Sequence, residues 1–88
     1  MINKTDKIVT YLFINLDHDA SRQEIVSKLH GIPEIAGVHV LYGTYDMLLR
    51  IESENSHQIK DIILRSVRRL EFVSKTMTML SLDTWDRD

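Results

Sequence analysis

The stretch VLYGTYDMLLRI, Val40 to Ile51, alternates apolar residues on either side of a single glycine. Two short strands with a few residues around one glycine between them form a tight hairpin, and Gly43 is the position suited to a positive φ. The second strand begins with a charge, Asp46, at the lip of the sheet. One reading makes that carboxylate a hairpin cap that bonds nearby N–H groups. The other makes it, with the hydroxyls of Thr44 and Tyr45 and the backbone around Gly43, part of a site for a small zwitterion. Chemistry alone favours the cap.

Working outward, the first strand of the hairpin is read as Val38 to Tyr42 and the second as Met47 to Glu52. Upstream, Ile8 to Leu16 alternates, with Ile8, Leu12, Ile14 and Leu16 on one face and Val9, Tyr11 and Phe13 on the other. Ser21 followed by Glu24 is a capping-box pattern, after which Ile25, Val26, Leu29 and Ile32 recur at helical spacing until Gly31 and Pro33 end the helix. Downstream, Asn55 or Ser56 caps a second helix. Its stripe is Ile59, Ile62, Ile63, Val67 and Leu70, opposite Lys60, Asp61, Arg65 and Arg68. The final strand, Val73 to Leu82, places Thr76, Thr78, Leu80 and Leu82 on one face and Lys75, Met77, Met79 and Ser81 on the other. Residues 83–88 are a short charged tail, and residues 1–88 form one domain.

The order is βαββαβ, two strand-helix-strand halves hinged at Gly43. Right-handed crossovers in each half place both helices on one face of a four-stranded antiparallel sheet, the ferredoxin-like sandwich. The second sheet face then has no cover, although Val9, Tyr11, Phe13 and Leu48 make it apolar. A second copy of the sheet is the simplest cover, so the pattern predicts an obligate homodimer packed sheet to sheet.

Composition narrows the function classes. Apolar residues make up 43% and charged residues 27% of 88 residues, the profile of a soluble globular chain, and no apolar run reaches the ~20 residues of a spanning helix. The opening segment alternates and ends in acids without a small-residue cleavage site, which predicts a strand and a cytoplasmic protein. A formal charge of −2 is unlike the basic excess of a nucleic-acid binder. With no cysteine, thiolate metal sites and cysteine nucleophiles are excluded.

The four histidines, His18, His30, His39 and His57, have no i, i+4 pair on one helix, so no metal site is expected. Asp17, His18 and Asp19 fall where acids favour a helix start. Arg65, Arg68 and Arg69 read as a solvated helix face or as partners for acids in an oligomer. No nucleophile elbow or phosphate-cradling glycine loop occurs. His39, on a strand, is the one residue that would invite a comparison with small dimeric ferredoxin-like monooxygenases, and it has no second catalytic partner and no cofactor motif; no enzyme activity is expected.

The run GVHVLYGTYDMLLRIES, followed by a helix and VSKTMTMLSL, resembles the effector-binding (RAM) domain of the Lrp/AsnC family of transcription regulators. The family hairpin is glycine, a variable residue, an aromatic and aspartate; Gly43, Thr44, Tyr45 and Asp46 match it, and Thr76 and Thr78 match the alternate threonines of its last strand. The likeness spans about Ile8 to Leu82. It implies a ferredoxin-like fold paired through its sheets, assembly of dimers into tetramers or octamers, and amino-acid effectors held between dimers. Gly43, Tyr45 and Asp46 are the implied effector residues, joined by Thr44 at the variable position and by Thr76 and Thr78. The helix-turn-helix of typical members is not present in the sequence, so a stand-alone sensing domain without direct DNA binding is expected, modulating transcription regulators through assembly. A ligand-free module that co-assembles with full-length regulators is the alternative. Glu71 and Phe72 replace the family's usual proline-glycine-valine entry to the last strand, which predicts a reshaped turn.

Overall fold

A computed structural model describes residues 2–4, 7–17, 21–83 and 85–87. Its elements, in order, are β1 (Ile2–Lys4), β2 (Ile8–Leu16), α1 (Arg22–His30), β3 (Ile35–Val40), β4 (Met47–Ser53), α2 (Ser56–Ile62), which runs on as a π-helical turn over Ile63–Val67, β5 (Val73–Leu80) and β6 (Trp85–Arg87). The main sheet is antiparallel with strand order β3-β4-β2-β5. That order is the ferredoxin-like arrangement expected from the sequence. The charged tail contributes β6, which pairs antiparallel with β1 as a separate two-stranded ribbon, Asn3 opposite Asp86.

Both helices lie on one side of the sheet. Thr10, Leu12, Ile14, Met47, Leu49 and Ile51 alternate along β2 and β4 and are fully buried. All but Thr10 pack in one cluster with Ile25 and Leu29 of α1 and Ile59, Ile62, Ile63 and Val67 of the second helical segment. The cross-strand pairs Leu12–Leu49 and Ile14–Met47 hold this layer in register. Opposite it, Tyr11, Phe13, Leu48 and Met77 are half-buried and Met79 is 52% exposed. Among the described residues neither helix contributes to that face. Arg50 and Glu52, 3.4 Å apart, add charge to it on β4.

Local chemistry accounts for the element ends. Ser21 caps α1, its Oγ accepting from the Glu24 N–H at 3.4 Å. Asn55, rather than Ser56, caps α2: its Oδ1 accepts from the Gln58 N–H at 3.0 Å, while Gln58 Oε1 accepts from the Glu54 N–H at 2.8 Å. The π-helical turn, closed by Arg68 N–H donating to Ile63 O at 2.9 Å, departs from the regular helix expected. At 3.6 residues per turn Val67 would lie about 80° around the helix from Ile59. Underwinding by the i→i+5 turn rotates Val67 back toward the stripe, where it is fully buried.

The first hairpin strand starts and stops earlier than Val38 to Tyr42. Ile35 already pairs with Ile51 through an irregular register step before Gly37, and Tyr42, fully exposed, lies beyond the ladder. The last strand likewise ends at Leu80, and Leu82 beyond it is 96% exposed. His18 and Asp19, read above with Asp17 as the approach to a helix start, lie outside the described residues.

Candidate functional site

The loop between β3 and β4 is closed by the Leu41 N–H donating to Asp46 O at 2.8 Å. Gly43 has φ +153°, a conformation L side chains rarely adopt, as its place in the hairpin predicted. Thr44 is exposed.

Asp46 is tied to β2. Its N–H donates to Ile14 O at 3.0 Å, and its Oδ2 accepts from the Leu16 N–H at 2.7 Å. The β2–β4 ladder ends at Ile14–Met47, so the carboxylate accepts the N–H that the departing hairpin backbone leaves behind. The bond spans thirty residues of chain. It therefore joins the hairpin to the centre of the sheet instead of closing the hairpin on itself, and one carboxylate oxygen, Oδ1, is left over for another donor.

Tyr45 folds onto the uncovered sheet face. Its ring meets Phe13 with centroids 5.4 Å apart, and its hydroxyl donates to Met77 Sδ at 3.5 Å. The same side chain lines a cavity of about 410 Å³ together with Arg68, Val73, Ser74, Lys75 and Thr76. Ser74 is fixed there by its Oγ donating to Asn15 O at 3.2 Å. Of the residues named from the sequence, Tyr45 and Thr76 thus share one cavity. Thr78 does not: it faces a different, apolar groove with Thr10, Ile59, Ile63, Leu64 and Leu80. Gly43, Thr44 and Asp46 are on the hairpin but off the cavity wall. Arg68 and Lys75 were missed as site residues. Arg68 read as one more charge on a solvated helix face; the short turn after it, with the Val73 N–H donating to Leu70 O at 3.1 Å, sets it beside the start of β5.

Among the described residues no group of three or more His, Asp or Glu side chains could hold a metal ion, and no helix is long and apolar enough to cross a membrane.

The model of the Lrp/AsnC ligand binding domain matches residues 9–88. The chain belongs to the Lrp/AsnC family. An HTH-type transcriptional regulator of Pyrococcus abyssi is 28% identical over 76 residues, which cover 84% of this chain and 51% of the regulator. The chain spans about half the length of the first curated relatives it matches. Among solved structures, Escherichia coli AsnC superposes with a TM-score of 0.82 at 13% identity, covering 90% of this chain and 53% of AsnC. A transcriptional regulator of Neisseria meningitidis, solved as a complex with L-Met, superposes with a TM-score of 0.78 at 16% identity over 85% of this chain and 49% of that one. At these identities the two structures speak for the Lrp/AsnC fold, while the family model speaks for a ligand-binding, regulatory domain.

Proposed function

We propose that this Lrp/AsnC domain senses an amino acid or a related small metabolite at the hairpin and transmits binding through its assembly. The observation that carries this reading is the cavity beside the hairpin, where Tyr45 and Thr76 meet. Its volume of about 410 Å³ falls within the roughly 300–1,000 Å³ usual for small-molecule sites. Backbone around Gly43 would receive the ligand carboxylate, and Asp46 Oδ1 its ammonium, with Thr44 and Thr78 contributing where copies meet. The Neisseria neighbour bound to L-Met supports an amino acid as the class. The protein acts as a regulator with no catalytic residues, in the cytoplasm, as a homodimer paired through Tyr11, Phe13, Leu48 and Met77, with dimers associating further.

Ligand binding across an interface shifts assembly only through unequal affinity for the assembled and free states, so pockets at copy-to-copy contacts couple the two directly. Titration of the twenty amino acids against melting temperature is the test. At least one should raise it, and Asp46→Asn, which keeps an acceptor for Leu16 but removes the charge, should abolish the rise without unfolding the protein. No shift from any amino acid at about 10 mM sinks the reading.

Co-assembly with full-length regulators is a second reading, favoured by the apolar sheet face and by the match to one half of such regulators. Mixed with a tagged full-length relative, the chain would co-purify in a fixed ratio; a homodimer that never exchanges subunits excludes it.

A further inference from the structure

We propose that the effector is a small dicarboxylate, an acidic amino acid or its deaminated analogue, and that Arg68 and Lys75 select it. This rests on the sensing role proposed above and names its ligand class. The cavity beside the hairpin has two cationic side chains on its wall, with the hydroxyls of Tyr45, Ser74 and Thr76, and, among the described residues, no carboxylate. Among the described residues neither Arg68 nor Lys75 pairs with an acid, whereas Arg65, one helical turn earlier, is held by Asp61 at 3.0 Å. The fold therefore leaves these two charges uncommitted.

The one carboxylate of the hairpin, Asp46, lies off the cavity wall and is held by the Leu16 N–H. Two unpaired cations on a wall with no carboxylate among the described residues suit a ligand whose acids outnumber its amines. A neutral zwitterion would satisfy one cation and leave the other facing an uncharged side chain. A dicarboxylate gives each cation a charge-assisted partner, and the Thr76 hydroxyl can donate to a remaining carboxylate oxygen. Arg68 is held in place for this because its backbone N–H closes the π-helical turn on Ile63 O, which fixes where the side chain leaves the helix.

Calorimetric titration with L-glutamate, L-glutamine, succinate and a panel of neutral and basic amino acids tests the assignment. Glutamate and glutamine are nearly isosteric, so their difference reports charge. Glutamate should bind roughly tenfold or more tightly than glutamine, an advantage that shrinks with added salt. Arg68→Gln and Lys75→Gln should each erase most of it, Arg68→Lys should retain part, and Arg69→Gln, a neighbouring cation off the cavity wall, should leave it intact. Succinate binding as well as glutamate identifies the two acids as the recognised feature; succinate failing where glutamate binds adds the Asp46–ammonium contact, and both outcomes support the assignment. Glutamine or a neutral or basic amino acid binding as tightly as glutamate overturns the dicarboxylate class and leaves amino-acid sensing standing. Failure of every amino acid and acid to bind overturns both. A glutamate preference that survives Arg68→Gln and Lys75→Gln together overturns the role given to these two residues.

Discussion

Replacing Asp46 by alanine leaves the Leu16 N–H, part-buried, without its acceptor. Hydrogen bonds to charged groups contribute about 1.5–3 kcal/mol, and a loss of that size in urea unfolding is expected for Asp46→Ala, with most of it recovered in Asp46→Asn. Gly43 makes a different prediction. A Cβ there meets nothing within 4 Å, so Gly43→Val should lose stability through backbone strain alone, about 1–3 kcal/mol. Thr10 runs the opposite way. Its hydroxyl is buried at 0% exposure with no partner among the described residues, so Thr10→Val should raise the unfolding free energy by about 1 kcal/mol. A Thr10→Val protein less stable than the parent would mean that the hydroxyl is bonded in solution.

At the scale of elements, the two helix starts can be compared directly. The Asn55 cap is backed by a second bond, Gln58 Oε1 accepting from the Glu54 N–H, while the Ser21 cap is a single long contact. Asn55→Ala should cost about 1 kcal/mol and Ser21→Ala less, measured by thermal or urea unfolding. Such caps, and the strand alternation of Ile8 to Leu16, are local and hence readable from the sequence; β2 spans those same residues. What was not readable depends on distant partners. The π-helical turn follows from fitting Val67 against the sheet, a demand no local periodicity states. The ribbon of β1 and β6 joins the two ends of the chain through backbone pairing, and neither segment shows an apolar pattern long enough to signal a strand. At the site, the Gly43–Asp46 motif was legible, but the commitment of Asp46 to Leu16 and the cavity that Tyr45 shares with Arg68 and Lys75 are made across the fold.

For the molecule as a whole, the assembly proposed above rests on the sheet face carrying Tyr11, Phe13, Leu48, Met77 and Met79. An 88-residue chain hides a modest share of its surface alone, so a second copy over this face would supply much of its stability. Sedimentation should find a dimer at micromolar concentration, and the melting temperature should climb with protein concentration. Phe13→Asp, which sets a charge in the middle of the apolar face, should shift the sedimentation profile to monomer. A wild-type chain that sediments as a stable monomer removes the reason for the two-faced strands.

The bond from Asp46 to Leu16 also bears on how such domains diverge. A carboxylate built into the architecture is retained by selection for folding even in a descendant that has ceased to sense anything. The presence of this aspartate in a sequence is thus a record of the fold, and a poor witness to ligand binding. Arg68 and Lys75 carry no such structural duty, so it is at these two positions that the gain, loss or exchange of a ligand would be written.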